Sequence, residues 1–134
     1  MLMWSHYGDS HKGIALRFRS EETNPFFGRA QEVSYQTERP VVNVFTDSSD
    51  DLMTKSLLTK ADFWSYEEEW RIIDHDTGPG LKQFEPDDLD GVIFGAKIDE
   101  DLKNKIEGWI EGKPIEKFQA TIDPQSFRVV INAI

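Results

Sequence analysis

Gly91-Val92-Ile93-Phe94-Gly95 is a short, continuous apolar run bounded by glycines, the pattern of a strand buried on both faces. What flanks it sets the fold class. Downstream, Asp99 can cap a helix carrying Leu102, Ile106, Trp109 and Ile110 on one side, stopped by Gly112 and Pro114. Ile115 to Ile122 and Phe127 to Ile134 read as two further strands. Upstream, Gly13 to Phe18 alternates, with Ile14, Leu16 and Phe18 on one face, so it predicts a half-buried strand. Gln31 to Tyr35 is another candidate. Ser49 can cap a helix with Asp50 and Asp51 in its first turn, and Met53, Leu57, Ala61 and Trp64 follow at helical spacing. Tyr66 to Ile73 then reverts to period two. Gly78-Pro79-Gly80 supplies a turn to a partner strand over Leu81 to Phe84, predicting a hairpin. About seven strands and two helices that do not regularly interleave predict an α+β fold with a mixed or antiparallel sheet.

The 134 residues, with 38% hydrophobic content and 16 aromatics, are read as a single domain spanning 1–134 with enough apolar material for its own core. The absence of cysteine excludes a disulfide scaffold, a thiolate metal site and a cysteine nucleophile. No apolar run reaches the length of a membrane span and no signal-peptide pattern opens the sequence, so a cytoplasmic protein without a membrane partner is expected. The net charge of -10 argues against strong non-specific binding of nucleic acid. That acidity is local: residues 1–40 are balanced at five acids and five bases, whereas residues 85–101 hold seven acids against Lys97.

Lys60 to Ile73, KADFWSYEEEWRII, carries the most chemistry. As a strand from Tyr66 onward, it would place Glu67, Glu69 and Arg71 on one face and send Trp70 and Ile72 into the core. Two carboxylates two residues apart, flanked by Trp64 and Tyr66, suit a general acid/base pair or stabilisation of a cationic transition state. They equally suit a solvated face on which Glu69 pairs with Arg71. A second constellation, Trp4-Ser5-His6-Tyr7-Gly8-Asp9-Ser10-His11-Lys12-Gly13, reads as a polar loop before a strand. In a functional reading His6, Tyr7 or His11 would hold a ligand's hydroxyl or phosphate. Their spacing does not make a metal pair, and no metal is expected. Asp74-His75-Asp76 reads as turn residues at the hairpin tip.

The phrase Leu2-Met3-Trp4-Ser5-His6-Tyr7, then His11-Lys12-Gly13-Ile14, then Lys60 with Trp64, Tyr66, Glu67, Glu69, Trp70 and Arg71 resembles a bacterial and phage family, domain of unknown function 2971. Phe84-Glu85-Pro86, Leu89 and Val92-Ile93-Phe94-Gly95 extend the resemblance to about residues 2–95. The resemblance implies a further segment upstream, so that this chain corresponds to the C-terminal part of the family domain. More distantly, the layout is similar to ADP-ribosyltransferases of the DNA-modifying toxin type, with Glu69-Trp70-Arg71-Ile72-Ile73 at the place of the catalytic strand.

That similarity implies an ADP-ribosyltransferase-like fold with NAD as substrate and a macromolecular acceptor. Glu69 would stabilise the oxocarbenium-like centre and Glu67 would orient the acceptor. Tyr7 or Tyr66 would stack on nicotinamide, and His6 would contact ribose or phosphate. It further implies an exposed sheet edge that pairs in a homodimer or with a separate N-terminal segment. The alternative is a non-catalytic interaction module with Trp4, Trp64 and Tyr66 in a recognition patch.

Overall fold

In the computed structural model, residues 2–76 and 78–134 are described. In chain order the elements are α1 (Leu2–His6), β1 (Ile14–Phe18), β2 (Gln31–Glu32), β3 (Ser34–Gln36), α2 (Ser49–Leu57), β4 (Thr59–Ala61), β5 (Trp70–Arg71), β6 (Leu89–Phe94), α3 (Glu100–Ile110), β7 (Glu116–Ile122) and β8 (Val129–Ala133). Short 3-10 turns lie at Phe27–Arg29, Asp62–Glu67 and Pro86–Asp88. The fold is α+β with mixed sheets, as the pattern of elements predicts. The residues form two compact units, one comprising the chain up to Arg19 with Gln83–Ile134, the other Ser20–Lys82.

The first unit is built on the apolar run. β6 is central in a sheet of order β1-β6-β7-β8, antiparallel to β1 and parallel to β7, with β8 antiparallel on the far edge. Parallel neighbours require a crossover, and α3 supplies it. Val92 and Phe94 are buried against Ile106 of α3, with Ile14, Ile98, Ile110 and Ile115 packed around them. Ile93, facing the other way, is half-buried.

Asp99 caps α3 by accepting a hydrogen bond from the Leu102 amide at 3.1 Å, and Gly112 follows the helix at φ +72°, the left-handed conformation that glycine adopts without strain. The apolar side of α3 is narrower than its spacing predicts. Ile106 and Ile110 face the sheet, but Leu102 and Trp109 are exposed. Gly95 is required where it stands, since an added Cβ would lie 2.3 Å from the His11 carbonyl oxygen.

The stretch read as a loop at residues 4–13 starts inside α1, a helix too short to display a period. Beyond it Asp9, Ser10 and His11 all take positive φ, at 44°, 54° and 73°, conformations that cost non-glycine residues about 1 kcal/mol or more each. Hydrogen bonds hold them there: His11 N–H to Trp4 O at 3.1 Å, Gly13 N–H to Gly8 O at 2.8 Å and Lys97 N–H to His11 O at 2.9 Å.

In the second unit the strand expected over Gln31 to Tyr35 divides at Val33. β2 pairs antiparallel with β5, and β3 pairs parallel with β4. Val33, between them, is buried with its amide donating to Glu69 O at 3.0 Å. The N-cap of α2 is Ser48, one residue earlier than expected, in a reciprocal capping box with Asp51. The helix ends at Leu57 instead of continuing to Trp64, because Thr59–Ala61 leave it to pair with β3.

The long strand predicted over Tyr66 to Ile73 is not formed. Asp62–Glu67 wind as a 3-10 helix, and Glu68 at φ 46° and ψ 48° reverses the chain. Only Trp70 and Arg71 are strand. This break resets the side-chain phase, so Trp70, assigned to the core by alternation, is 60% exposed, and Ile72 is only half-buried. The hairpin is likewise absent: Leu81 to Phe84 is irregular, and β5 finds its partner in β2.

Candidate functional site

Lys60 on β4 organises the second unit's charged cluster. The parallel register sets Lys60 opposite Tyr35, and the 3-10 turn brings Glu67 back over it. The Lys60 ammonium donates to Glu67 Oε2 and, at 3.1 Å, to Glu69 Oε2. Arg71 closes the other side of Glu69, with Nε donating to Oε1 at 2.6 Å and Nη2 to Oε2 at 3.0 Å. Arg71 Nη1 also donates to the Leu57 carbonyl at the end of α2. The Glu69 amide donates to the Tyr35 hydroxyl oxygen at 2.8 Å. Glu67 and Glu69 are therefore brought together, but as counter-ions around a shared lysine.

The electrostatics follow from these contacts. Hydrogen bonds from Arg71 above all, opposed by burial and assisted by Lys60, hold the Glu69 carboxyl down at about 2. Lys60 is pushed up, chiefly by its hydrogen bond to Glu67, and Arg71 is pushed up by Glu69. The Glu67 side chain is 3% exposed and that of Glu69 27%. A carboxyl titrating near 2 holds no proton to donate at neutral pH. Glu69 is a fixed negative charge whose field Arg71 largely offsets.

Around this cluster lie aromatic rings. Lys60 Nζ sits 4.9 Å from the centre of the Trp64 ring, and Trp64 is tilted against Phe63 at 5.5 Å and Tyr66 at 5.9 Å. Phe63, Tyr66 and Trp70 are exposed. A cavity of about 290 Å³ beside Lys60 is lined by Thr59, Ala61 and the segment Gln36 to Pro40.

His6, Tyr7 and His11 belong to the other unit. His6 and Tyr7 are exposed and meet edge to face at 6.4 Å. His11 is 4% exposed, with Nε2 3.2 Å from Ser5 Oγ and Nδ1 without a hydrogen-bond partner. Asp74, in the segment read as turn residues, pairs with Lys82 at 2.8 Å and accepts the Asp76 amide. Among the described residues no group of three or more His, Asp or Glu side chains is arranged to hold a metal ion, and no helix is long and apolar enough to cross a membrane.

Spacing alone did not single out Tyr35, 34 residues from the amide that it receives, nor Lys60 as the bridge between the carboxylates. Both depend on the β3–β4 pairing, which is non-local.

The family model described as Protein of unknown function (DUF2971) matches residues 3–72, more than half of the chain and including all of Lys60, Glu67, Glu69 and Arg71. The chain belongs to this family. The matched region runs from α1 through β5, so the block at residues 84–95 lies outside it. No curated protein and no solved structure matches the chain.

Proposed function

We propose that the Lys60–Arg71 region is a non-catalytic recognition surface for a protein partner: a rigid, charge-neutral ion-pair network that holds exposed aromatic rings in place. The observation that carries this reading is the closure of both carboxylates by cations while Phe63, Tyr66 and Trp70 stay open to solvent. Acid/base chemistry needs a carboxyl that can exchange a proton near neutral pH, and Glu69 is held far below that range. Aromatic side chains fixed at a surface are characteristic anchors of protein interfaces.

A second reading, an ADP-ribosyltransferase-like domain that binds NAD, is favoured by one feature: Glu69 is ionised at every physiological pH, the state that stabilises an oxocarbenium-like centre. In that reading Tyr66 stacks on nicotinamide and Glu67 orients a macromolecular acceptor, with Glu69 beside the ribose. The cavity beside Lys60, about 290 Å³, is at the lower limit for small-ligand pockets and too small for a whole dinucleotide.

Calorimetric titration with NAD separates the two. The recognition reading gives no heat at millimolar NAD and no release of nicotinamide. Heat that disappears in a Glu69→Gln variant would establish the transferase reading in its place.

A further inference from the structure

We infer that two copies of the chain associate by antiparallel pairing of β8 with its own counterpart, about a two-fold axis at Ile131, so that their sheets join into one. β8 is an edge of the sheet β1-β6-β7-β8, and among the described residues no strand pairs with its outer side. Its bonding to β7 can be read inward from both ends. Asp123 N–H donates to Arg128 O and Ile134 N–H to Lys117 O, each at 3.0 Å. Between these the register runs without a slip, from Val129 opposite Ile122 to Ala133 opposite Phe118. Hydrogen-bonded and non-bonded pairs alternate along an antiparallel ladder, so Arg128, Val130, Asn132 and Ile134 turn their backbone groups toward β7. Val129, Ile131 and Ala133 therefore turn theirs outward.

This edge lacks the devices that ordinarily block the addition of a strand. Residues 129–134, VVINAI, hold no charged side chain and no proline. Val130, Ile131, Asn132, Ala133 and Ile134 are all exposed. The opposite edge differs on both counts. The register of β1 slips between Arg17 and Phe18, and β1 carries the Arg17 guanidinium, which is held by Asp90 and Glu116. An irregular, charged strand is a poor template, whereas β8 is regular and neutral.

The occupant that fits this edge is a second copy of the chain, because the outward groups are symmetric about Ile131. A two-fold axis there sets Ile131 opposite Ile131 of the other copy, Val129 opposite its Ala133 and Ala133 opposite its Val129. Every outward N–H then meets an outward carbonyl, and a shift of two residues leaves Val129 or Ala133 unpaired. Opposed residues share a face of the sheet, so the side chains that meet are apolar. They extend the row of Ile122, Ala120 and Phe118 that β7 already sets opposite Val129, Ile131 and Ala133. With a net charge of -10 two copies repel, and pairing through β8 brings no like charges face to face.

Sedimentation velocity of the whole chain from micromolar to millimolar concentration, with amide exchange followed by NMR at both ends of that range, tests this. One pair of short strands is a small interface, so a weak, concentration-dependent dimer is expected. It should slow exchange at Val129, Ile131 and Ala133, whose amides are open in the monomer. Ile131→Lys and Ile131→Glu each set like charges opposite one another on the axis and should weaken the dimer at least about tenfold. Mixed in equal amounts, the two variants should pair with each other. Ile131→Pro should abolish the dimer and keep the fold, since the N–H it removes faces outward. Phe45→Asp, at an exposed apolar position in the other unit, should leave the dimer unchanged. Circular dichroism establishes that each variant is folded, and the exchange measurement needs no variant. A monomer at every concentration, a dimer in which those amides exchange as fast as in the monomer, an undiminished dimer in folded Ile131→Lys, a mixture that does not pair, or a dimer lost in Phe45→Asp would each overturn the inference.

Discussion

Replacing Lys60 with Met keeps the length and apolar stem of the side chain and removes only its ammonium. In the native structure that ammonium faces Glu67, whose side chain is 3% exposed, and Glu69, at 27%, and it rests on the Trp64 ring. Withdrawing one partner from a buried ion pair typically costs about 3–5 kcal/mol, because the remaining charge stays away from water. The cation–π contact adds about 0.5–1 kcal/mol. Arg71 continues to serve Glu69, so the loss falls mainly on Glu67, and a total of about 3.5–6 kcal/mol is expected. That is a large share of the stability of a domain this size.

Urea denaturation at neutral pH measures the effect. Glu67→Gln should cost less, and the double variant Lys60→Met with Glu67→Gln should recover part of the deficit, giving a coupling of at least about 1.5 kcal/mol. A cost under about 1 kcal/mol for Lys60→Met, with additive single effects, would refute the reasoning by showing that solvent screens the pair as it does surface ion pairs.

Trp70→Ala should cost less than about 1 kcal/mol because the ring is exposed, whereas Phe94→Ala, at a fully buried position, should cost about 3–5 kcal/mol; thermal melts compare them. Gly95→Ala drives a methyl into the His11 and Gly13 carbonyls and should destabilise by about 1–3 kcal/mol, read as a lower urea midpoint. Glu69 titrates near 2 in the folded chain against an ordinary 4.5, so its stabilisation is complete above pH 4.5 and is lost as pH falls through 2. At 27% exposure that amounts to about 1–3 kcal/mol after solvent screening. Glu69→Gln should remove this part of the acid dependence in urea melts between pH 6 and pH 2.

Elements whose signals are local were legible in the sequence. β1 shows in its alternation, β6 in its glycine-bounded apolar run, and α3 in Asp99 at its start and Gly112 beyond its end. The stretch from residue 59 to residue 73 was not legible, for two physical reasons. β4 exists only through parallel pairing with β3, a contact with no trace in neighbouring residues, so helical spacing from Met53 ran on through it. Glu68 adopts a left-handed conformation that composition does not announce, and one such residue suffices to shift the side-chain phase of all that follows. Alternation therefore sends Trp70 inward, whereas the fold leaves it exposed. The candidate site was legible in its residues and in the Glu69–Arg71 pair, but not in Lys60, which bridges the two carboxylates.

The central claim, that this pair is closed by cations and serves recognition in place of proton transfer, rests on the state of Glu69. Its carboxyl carbon can be followed directly by NMR across an acid titration of the folded chain. The account predicts a midpoint near 2, moving up toward the ordinary value when Arg71 is replaced by Met. A midpoint at or above 4.5 in the wild-type chain would contradict it, because Glu69 would then be open to solvent or substrate and available for catalysis.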